Sequence, residues 1–87
     1  MAYVYILRCD GNRYYVGSAV DLQKRLKHHD RGLTPSTKRL GNCHLVLSQE
    51  YETLIDARLV EGKIKKLKRK DYIARMVKDG VIKVMPR

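Results

Sequence analysis

The sequence contains neither phenylalanine nor tryptophan, so all six of its aromatic residues are tyrosines. Each tyrosine carries a hydroxyl that must be hydrated or hydrogen-bonded, and we therefore expect the apolar parts of this protein to be polar at their edges. Only two prolines occur, and there is no low-complexity tract in the 87 residues. With a hydrophobic fraction of 44%, these absences exclude a disordered chain and predict a single domain over residues 1–87.

Acidic residues are also scarce, with nine Asp and Glu against nineteen Lys and Arg and a formal net charge of +10. This balance predicts a polyanionic partner, either nucleic acid or an anionic membrane surface. A long hydrophobic run is missing, because the apolar run of residues 2–7 ends at Arg8. Such a run is too short for a signal peptide or a membrane-spanning helix. We therefore expect a cytoplasmic protein that does not enter the membrane.

Cysteine is limited to Cys9 and Cys43. Both lie in segments with the composition of strands, and in a reducing compartment we expect them to be small buried apolar side chains. Cys43 and the three histidines lack the paired ligand spacing of zinc sites, which argues against bound zinc.

The chain opens with a predicted hairpin, whose strands at residues 3–9 and 13–17 are joined by Asp10-Gly11-Asn12. Glycine and asparagine tolerate the positive φ angles of a tight hairpin turn. Asp21 is positioned to cap a first helix that ends at Arg31-Gly32. An exposed loop over residues 33–42 then leads to a third strand at residues 43–51.

A second helix is predicted after Thr53, which can act as its N-cap with Asp56 as the second half of a capping box. Its predicted buried face consists of Ala57, Val60, Ile64 and Leu67. A third helix, with Ile73 and Val77 facing inward, follows from about residue 71 to 78 and ends at Gly80, and residues 81–84 form a short strand or a tail. The order β-β-α-β-α-α predicts an α+β fold in which about three helices flank a small three-stranded antiparallel sheet.

The first predicted helix carries two polar residues beside its apolar face. Leu22, Arg25, Leu26 and His29 are spaced so that they share one side of the helix. Arg25 either forms an i,i+4 pair with Asp21 or acts on a bound phosphate. His29 is either a hydrogen-bonded histidine at the edge of the core or a catalytic group.

Tyrosines occupy both strands of the predicted hairpin. Tyr3 and Tyr5 share one face of the first strand, whereas Tyr14 and Tyr15 lie on opposite faces of the second. A tyrosine on the packed face either fills the core or presents its hydroxyl at the edge of the sheet, where it can contact a phosphate.

Glu61 borders the apolar face of the second helix and precedes a run, residues 63–70, that contains six positive charges. The carboxylate either forms an i,i+4 salt bridge with Lys65 or binds a divalent cation among residues that gather phosphate. Six like charges without acids between them repel one another, so a bound polyanion explains the run better than solubility does.

Taken as a set, these residues resemble the signature of the GIY-YIG nuclease superfamily. The two triplets are residues 3–5 (Tyr-Val-Tyr) and 15–17 (Tyr-Val-Gly), and the segment from Ser18 to Leu26 resembles the helix that carries the family's arginine. Tyr15 follows Tyr5 by ten positions and Arg25 follows Tyr15 by ten positions, as is typical of the family. The resemblance covers residues 3–70 and indicates a small stand-alone member, similar to the N-terminal nuclease domain of the excision-repair protein UvrC.

The resemblance implies a metal-dependent endonuclease that hydrolyses phosphodiester bonds in DNA, in repair or recombination. It assigns Glu61 to one Mg²⁺ or Mn²⁺, Arg25 to the charge on the phosphoryl oxygens, and Tyr15 to the attacking water. Tyr5 becomes the hydrogen-bonded neighbour of Tyr15, and His29 assists at the phosphate or relays a proton. The nucleic-acid contacts expected are Ser18, Lys24, Lys38, Arg58, Lys65 and Lys66.

Two residues depart from the family pattern. Tyr3 stands where glycine is common, and Ser18 stands where excision-nuclease relatives have a lysine that can lower the pKa of a tyrosine. There is also no match for the asparagine that many members place after the glutamate. The departures leave open a module that binds DNA or RNA without cutting it, and an interaction protein that docks on an acidic partner.

Glu61 separates the two nucleic-acid hypotheses, because a pure binder has no need of a carboxylate among its lysines. The resemblance favours DNA over RNA as the partner. In so small a protein, a partner protein could supply the specificity.

Overall fold

The chain folds as an α+β protein with the element order β-β-α-β-α-α, as predicted. The computed structural model describes residues 1–30, 42–67 and 69–86 and, in the first of these ranges, the side chains up to residue 27. The elements are β1 (Ala2–Cys9), β2 (Arg13–Ala19), α1 (Leu22–Asp30), β3 (Cys43–Tyr51), α2 (Leu54–Leu67) and α3 (Lys70–Asp79). None of the helices in these ranges is both long and apolar enough to cross a membrane.

The strands form an antiparallel sheet in the order β2-β1-β3, which leaves β2 as an edge strand. The β1–β2 turn contains Gly11 at φ 75° and Asn12 at φ 57°. These left-handed conformations are the ones that the Asp10-Gly11-Asn12 sequence predicts for a tight hairpin. In the resulting register, Tyr5 on the central strand lies opposite Gly17 on the edge strand.

The sheet is covered by helices on both of its faces. On one face, Val4 and Ile6 of β1 belong to a core shared with α2 and α3. On the other face, Tyr5, Leu7 and Cys9 form a second core, against which α1 packs. Because strand residues alternate between faces, the central strand contributes to both cores.

The start of α2 and the end of α3 have the predicted capping residues. The Thr53 hydroxyl accepts a hydrogen bond from the backbone N–H of Asp56 at 3.1 Å. Gly80 ends α3 at φ 74°, with its N–H bonded to carbonyls of the last turn. The predicted inner face of α2 is wrong at Leu67, which is 39% exposed because the helix ends there. Met76 of α3 was not predicted to be buried, but it is 2% exposed and belongs to the core.

Helix α1 begins as expected, because Asp21 Oδ1 accepts the backbone N–H of Lys24 at 3.0 Å. Leu22 and Leu26 pack against the core below it. The predicted end of this helix at Arg31-Gly32 and the loop at residues 33–41 lie outside the described residues.

The expectation of two unpaired cysteines is wrong, because Cys9 and Cys43 form a disulfide bond. The two residues are direct cross-strand partners at the ends of β1 and β3. They are 34 residues apart in the chain, and only the pairing of these two strands brings the sulfur atoms together. The expectation was based on a reducing compartment, in which the two thiols would stay unpaired.

The segment after α3 is a tail and not a strand. The side-chain amide of Gln49 on β3 accepts the backbone N–H of Ile82 at 2.9 Å and donates to the carbonyl of Ile82 at 3.2 Å. Lys63 Nζ donates to the carbonyl of Met85 at 2.9 Å. These three bonds hold the tail against β3 and α2.

Candidate functional site

The ring of Tyr5 lies across the edge strand at Gly17. Tyr5 is completely buried, and Gly17 is its cross-strand partner on β2. A Cβ atom at position 17 would lie 2.5 Å from Cζ of Tyr5, and closer still to the hydroxyl oxygen. Only a residue without a side chain leaves room for the phenol, so Gly17 allows the Tyr5 hydroxyl to reach the edge of the sheet.

Arg25 joins this phenol to a second one. Its guanidinium lies beside the phenols of Tyr5 and Tyr15, and hydrogen bonding with Tyr5 is the main cause that raises the pKa of Arg25. The two tyrosine rings are inclined at 32° with their centroids 6.3 Å apart. The alternative pairing with Asp21 is not observed, since no ion pair between Asp21 and Arg25 occurs in the described part of the chain and the Asp21 carboxylate caps α1.

Burial is the main cause that raises the pKa of Tyr5, because the phenolate would lose its hydration. The hydrogen bond from Arg25 lowers this pKa without cancelling the effect of burial, and the charges of Tyr15 and Glu61 raise it further. Tyr5 therefore keeps its proton at neutral pH and is suited to donate a hydrogen bond. Such a group is poorly suited to act as a general base.

Glu61 approaches the same strand from the other face of the sheet. Its Oε1 accepts a hydrogen bond from the Ser18 hydroxyl at 2.5 Å, and Ser18 directly follows Gly17 on β2. Its Oε2 forms an ion pair with Lys65 Nζ at 2.6 Å, which is the predicted i,i+4 salt bridge. The carboxylate is 20% exposed. It thus lies beside residue 17 of the edge strand, and its charge contributes to the raised pKa of Tyr5.

A cavity of about 340 Å³ opens beside this edge of the sheet. It is lined by Ser18, Ala19, Val20, Asp21, Lys24, Arg25, Leu54 and Arg58. Three of these side chains are cationic and one is acidic, so the cavity carries a net positive charge. It brings together three of the predicted nucleic-acid contacts, Ser18, Lys24 and Arg58, next to Arg25.

The other predicted contacts lie elsewhere. Lys65 is bonded to Glu61, and Lys66 lines a separate cavity on another side of α2. Lys38 lies outside the described residues. His29 belongs to α1 by its backbone, but its side chain is outside the described set.

The hydrogen bond between Ser18 and Glu61 was not predicted from the sequence. The two residues are 43 positions apart, and no spacing rule relates a strand residue to a helix residue at that distance. The signal that was present is the position of Ser18 directly after the second triplet, where its side chain points away from the Tyr15 face. The structure makes Ser18 a neighbour of the carboxylate as well as a lining residue of the cationic cavity.

The donor groups at this edge fit a hydrated magnesium ion. No group of three His, Cys, Asp or Glu side chains able to hold a metal occurs among the described residues. Mg²⁺ does not need such a cage, because it usually retains several waters and binds through one or two carboxylates together with substrate phosphates. Glu61 can supply the one carboxylate once Lys65 moves away from Oε2.

Known proteins have similar sequences, and one family model matches most of the chain. The family model of the GIY-YIG catalytic domain matches residues 1–74. A UPF0213 protein from Clostridium perfringens is 39% identical over 70 residues, covering 79% of this chain and 75% of the relative. A UPF0213 protein from Bacillus velezensis is 36% identical over 72 residues, covering 78% and 70%.

A UPF0213 protein from Staphylococcus aureus is 35% identical over 78 residues, covering 88% of this chain and 94% of the relative. Among solved structures, the solution NMR structure of a UPF0213 protein from Bacillus halodurans is similar, with a TM-score of 0.58 and 29% identity. That similarity covers 92% of this chain and 87% of the other chain. These names state no reaction and no substrate.

Proposed function

The chain belongs to the GIY-YIG family, and from that premise we propose that it is a metal-dependent endonuclease acting on DNA in repair or recombination. One observation carries the proposal: Arg25 lies beside the phenols of Tyr5 and Tyr15 at the strand edge where Ser18 holds the Glu61 carboxylate. At one edge, a cation can stabilise charge on a phosphodiester, a phenol can orient water and a carboxylate can bind a metal ion.

Binding of the phosphate is assigned to the cationic cavity. Lys24, Arg25 and Arg58 line it, and they can neutralise the non-bridging oxygens of a DNA phosphate. When water attacks phosphorus, negative charge accumulates on those oxygens. Arg25 is already oriented by two phenol oxygens, so it stabilises this charge without having to reorganise.

The attacking water is assigned to Tyr15. Its hydroxyl accepts a hydrogen bond from the water and orients it while the new O–P bond forms and the ester O–P bond breaks. Tyr5 keeps its proton and maintains the position of Arg25, because burial raises its pKa. His29, one turn after Arg25 on α1, is assigned to relay a proton to the oxygen that leaves.

Glu61 is assigned to hold one Mg²⁺ or Mn²⁺. When bound, such an ion polarises a phosphoryl oxygen as a Lewis acid. Ser18 keeps one carboxylate oxygen oriented toward the strand edge. Lys65 neutralises the other oxygen in the conformation described here, so its ammonium competes with a cation for Glu61.

The test is a cleavage assay on plasmid, flap and branched DNA and on matched RNA, with and without Mg²⁺ or Mn²⁺. Glu61→Gln and Arg25→Ala are expected to abolish cleavage, whereas Lys27→Ala removes an exposed charge from the same helix as Arg25 and is expected to retain it. Cleavage that persists in both Glu61→Gln and Arg25→Ala would come from a contaminant and would refute the proposed endonuclease activity. Cleavage of RNA in preference to DNA would refute the assignment of DNA as the substrate.

A second candidate is a module that binds nucleic acid without cutting it. The observation in its favour is that both oxygens of Glu61 are already bonded, to Ser18 and to Lys65. For this module, binding would be independent of metal and unaffected by Glu61→Gln. Its affinity must fall steeply with added salt, and a flat salt response would exclude phosphate contacts as the main source of affinity.

A further inference from the structure

A second cavity, of about 420 Å³, lies between α2, α3 and the C-terminal tail. It is lined by Lys63, Lys66, Leu67, Tyr72, Lys83 and Val84, and we call it the tail groove. Lys66 follows Glu61 by five residues, which places it about 7.5 Å further along the helix and about 140° around its axis. The tail groove is therefore distinct from the cavity beside the strand edge, although both use α2.

The tail groove has walls that the fold holds in place. Gln49 holds the tail through both hydrogen-bonding groups of the Ile82 backbone, and Ile82 itself is buried in the core. Lys63 is bonded to the Met85 carbonyl at 2.9 Å. The tail residues Lys83 and Val84 are thus kept opposite α2 at a defined distance, which indicates a preformed site.

The chemistry of the groove combines positive charge with exposed apolar surface. Three of its six lining residues are lysines and none is acidic. Asp79 pairs with Lys83 at 3.2 Å from outside the lining. Tyr72 is 46% exposed and Leu67 is 39% exposed, so the groove presents apolar surface to solvent together with its lysines.

Tyr72 is the aromatic surface of this groove. The guanidinium carbon of Arg69 lies 6.0 Å from the centre of its ring, which adds a cation next to the aromatic face. Stacking of a base on an aromatic side chain, with lysines on the neighbouring phosphates, is the usual way in which proteins bind single-stranded nucleic acid.

We propose that the tail groove binds a single-stranded segment of nucleic acid, with a base stacked on Tyr72 and the flanking phosphates on Lys63, Lys66 and Lys83. An acidic peptide helix would need an elongated groove that accepts side chains one turn apart. A cavity of about 420 Å³ with one aromatic wall suits a single planar group better. The inference depends on nucleic acid being the partner, as in the proposed function.

The location of the groove defines the substrate further. A strand that leaves the strand-edge cavity has to pass around the exposed surface of α2 to reach Tyr72. The preferred substrate is then DNA in which a duplex carries a single-stranded tail, with the junction near Glu61 and the tail in the groove.

The test is a binding titration in EDTA, in which fluorescence anisotropy follows a labelled single strand, a blunt duplex and a duplex with a single-stranded tail. Tyr72→Leu is expected to weaken binding of the single strand by about 5- to 100-fold, since stacking contributes this much per base. Tyr72→Phe retains the ring and is expected to restore binding. Blunt duplex is expected to bind all three proteins equally.

Charge is tested separately with Lys66→Gln, for which the slope of log affinity against log salt should fall by about 0.7 for a single strand. Lys78→Gln, on α3 and outside the groove, is the matched control. Thermal unfolding of Tyr72→Leu verifies that substitution of this half-exposed residue leaves the fold intact.

Single-strand binding that is absent, or that is unchanged in Tyr72→Leu, would overturn the inference. So would a synthetic acidic peptide whose binding depends on Tyr72 while that of the single strand does not. The nuclease can fail independently: if no DNA is cut but single strands still bind through Tyr72, the proposed enzyme is refuted and the groove is retained.

Discussion

Tyr5 and Gly17 face each other across β1 and β2, and the phenol ring of Tyr5 occupies the space that a side chain at Gly17 would need. The hydroxyl that Arg25 contacts therefore depends on a missing Cβ atom on the neighbouring strand. This relationship explains physically why the second triplet ends in glycine.

Gly17→Ala is expected to reduce cleavage at least tenfold and to lower the free energy of unfolding by about 1–3 kcal/mol, because the buried ring has to move. The measurement is a cleavage assay combined with chemical denaturation. Gly62→Ala is the control, since a Cβ atom there meets nothing within 4 Å and alanine in a helix is more stable than glycine by about 0.5–1 kcal/mol. Full activity in Gly17→Ala would contradict the assigned role of Tyr5.

Arg25→Lys is expected to lose about 100- to 1,000-fold in the rate of cleavage, comparable to the loss of one oxyanion-stabilising group. The planar guanidinium lies beside both Tyr5 and Tyr15, and its several N–H donors can serve two partners at once, whereas a lysine offers a single point charge. Single-turnover kinetics measures the rate of the chemical step. A Lys variant as active as the wild type would mean that positive charge alone is sufficient.

Lys65→Met is expected to lower the concentration of Mg²⁺ or Mn²⁺ needed for half-maximal cleavage. The ammonium of Lys65 is bonded to Glu61 Oε2 at 2.6 Å, and its removal leaves that oxygen available to a cation. A titration of activity against metal concentration measures the effect, with Lys78→Met as a control for net charge. An unchanged or higher requirement for metal would show that Lys65 does not compete at Glu61.

Alkaline pH is expected to destabilise the protein through Tyr5. Burial raises its pKa above the unfolded value of 10.0, so the folded state binds the proton more tightly than the unfolded state does. The stabilisation is complete below pH 10 and is lost as the pH rises through the higher pKa of the folded protein. Denaturation at increasing pH should show a steeper loss in the wild type than in Tyr5→Phe, and equal slopes would contradict this assignment.

Reduction of the Cys9–Cys43 bond is expected to lower the free energy of unfolding by about 2–4 kcal/mol, because the unfolded chain regains the entropy of an open loop. The expected readout is a lower thermal midpoint in the presence of a phosphine reductant. The double variant Cys9→Ser/Cys43→Ser should show the same midpoint in both conditions. A wild-type midpoint that does not respond to reductant would mean that the bond contributes nothing to stability.

Local sequence was sufficient to predict the strands and helices and several of the positions where they begin or end. The Asp10-Gly11-Asn12 turn, the Thr53 cap and the Gly80 stop depend on backbone preferences of single residues, and all three occur as predicted. The errors lie where packing decides. Leu67 has the spacing of a buried residue but stands at the last turn of α2, and Met76 is buried because α3 crosses the core there.

The candidate site was predictable in composition but not in its contacts. Helical spacing placed Arg25 beside the packed face of α1, and alternation placed Tyr5 and Tyr15 on strands that pair. The salt bridge of Glu61 with Lys65 follows from i,i+4 spacing within α2, as predicted. The hydrogen bond of Ser18 to Glu61 depends instead on how closely α2 approaches the edge strand. Such distances are properties of the packed helices and not of any residue spacing.

The sequence by itself determined the hairpin, the helix caps, the excess of positive charge and the identity of the residues that resemble a nuclease signature. These features depend on local backbone preference and on composition, which act before any long-range contact forms. Tertiary structure alone decided the cross-strand disulfide, the hydrogen bond between Ser18 and Glu61, and the tail groove around Tyr72. Each of these joins segments far apart in the chain, and their separation is set only when the sheet and its two helical layers pack together.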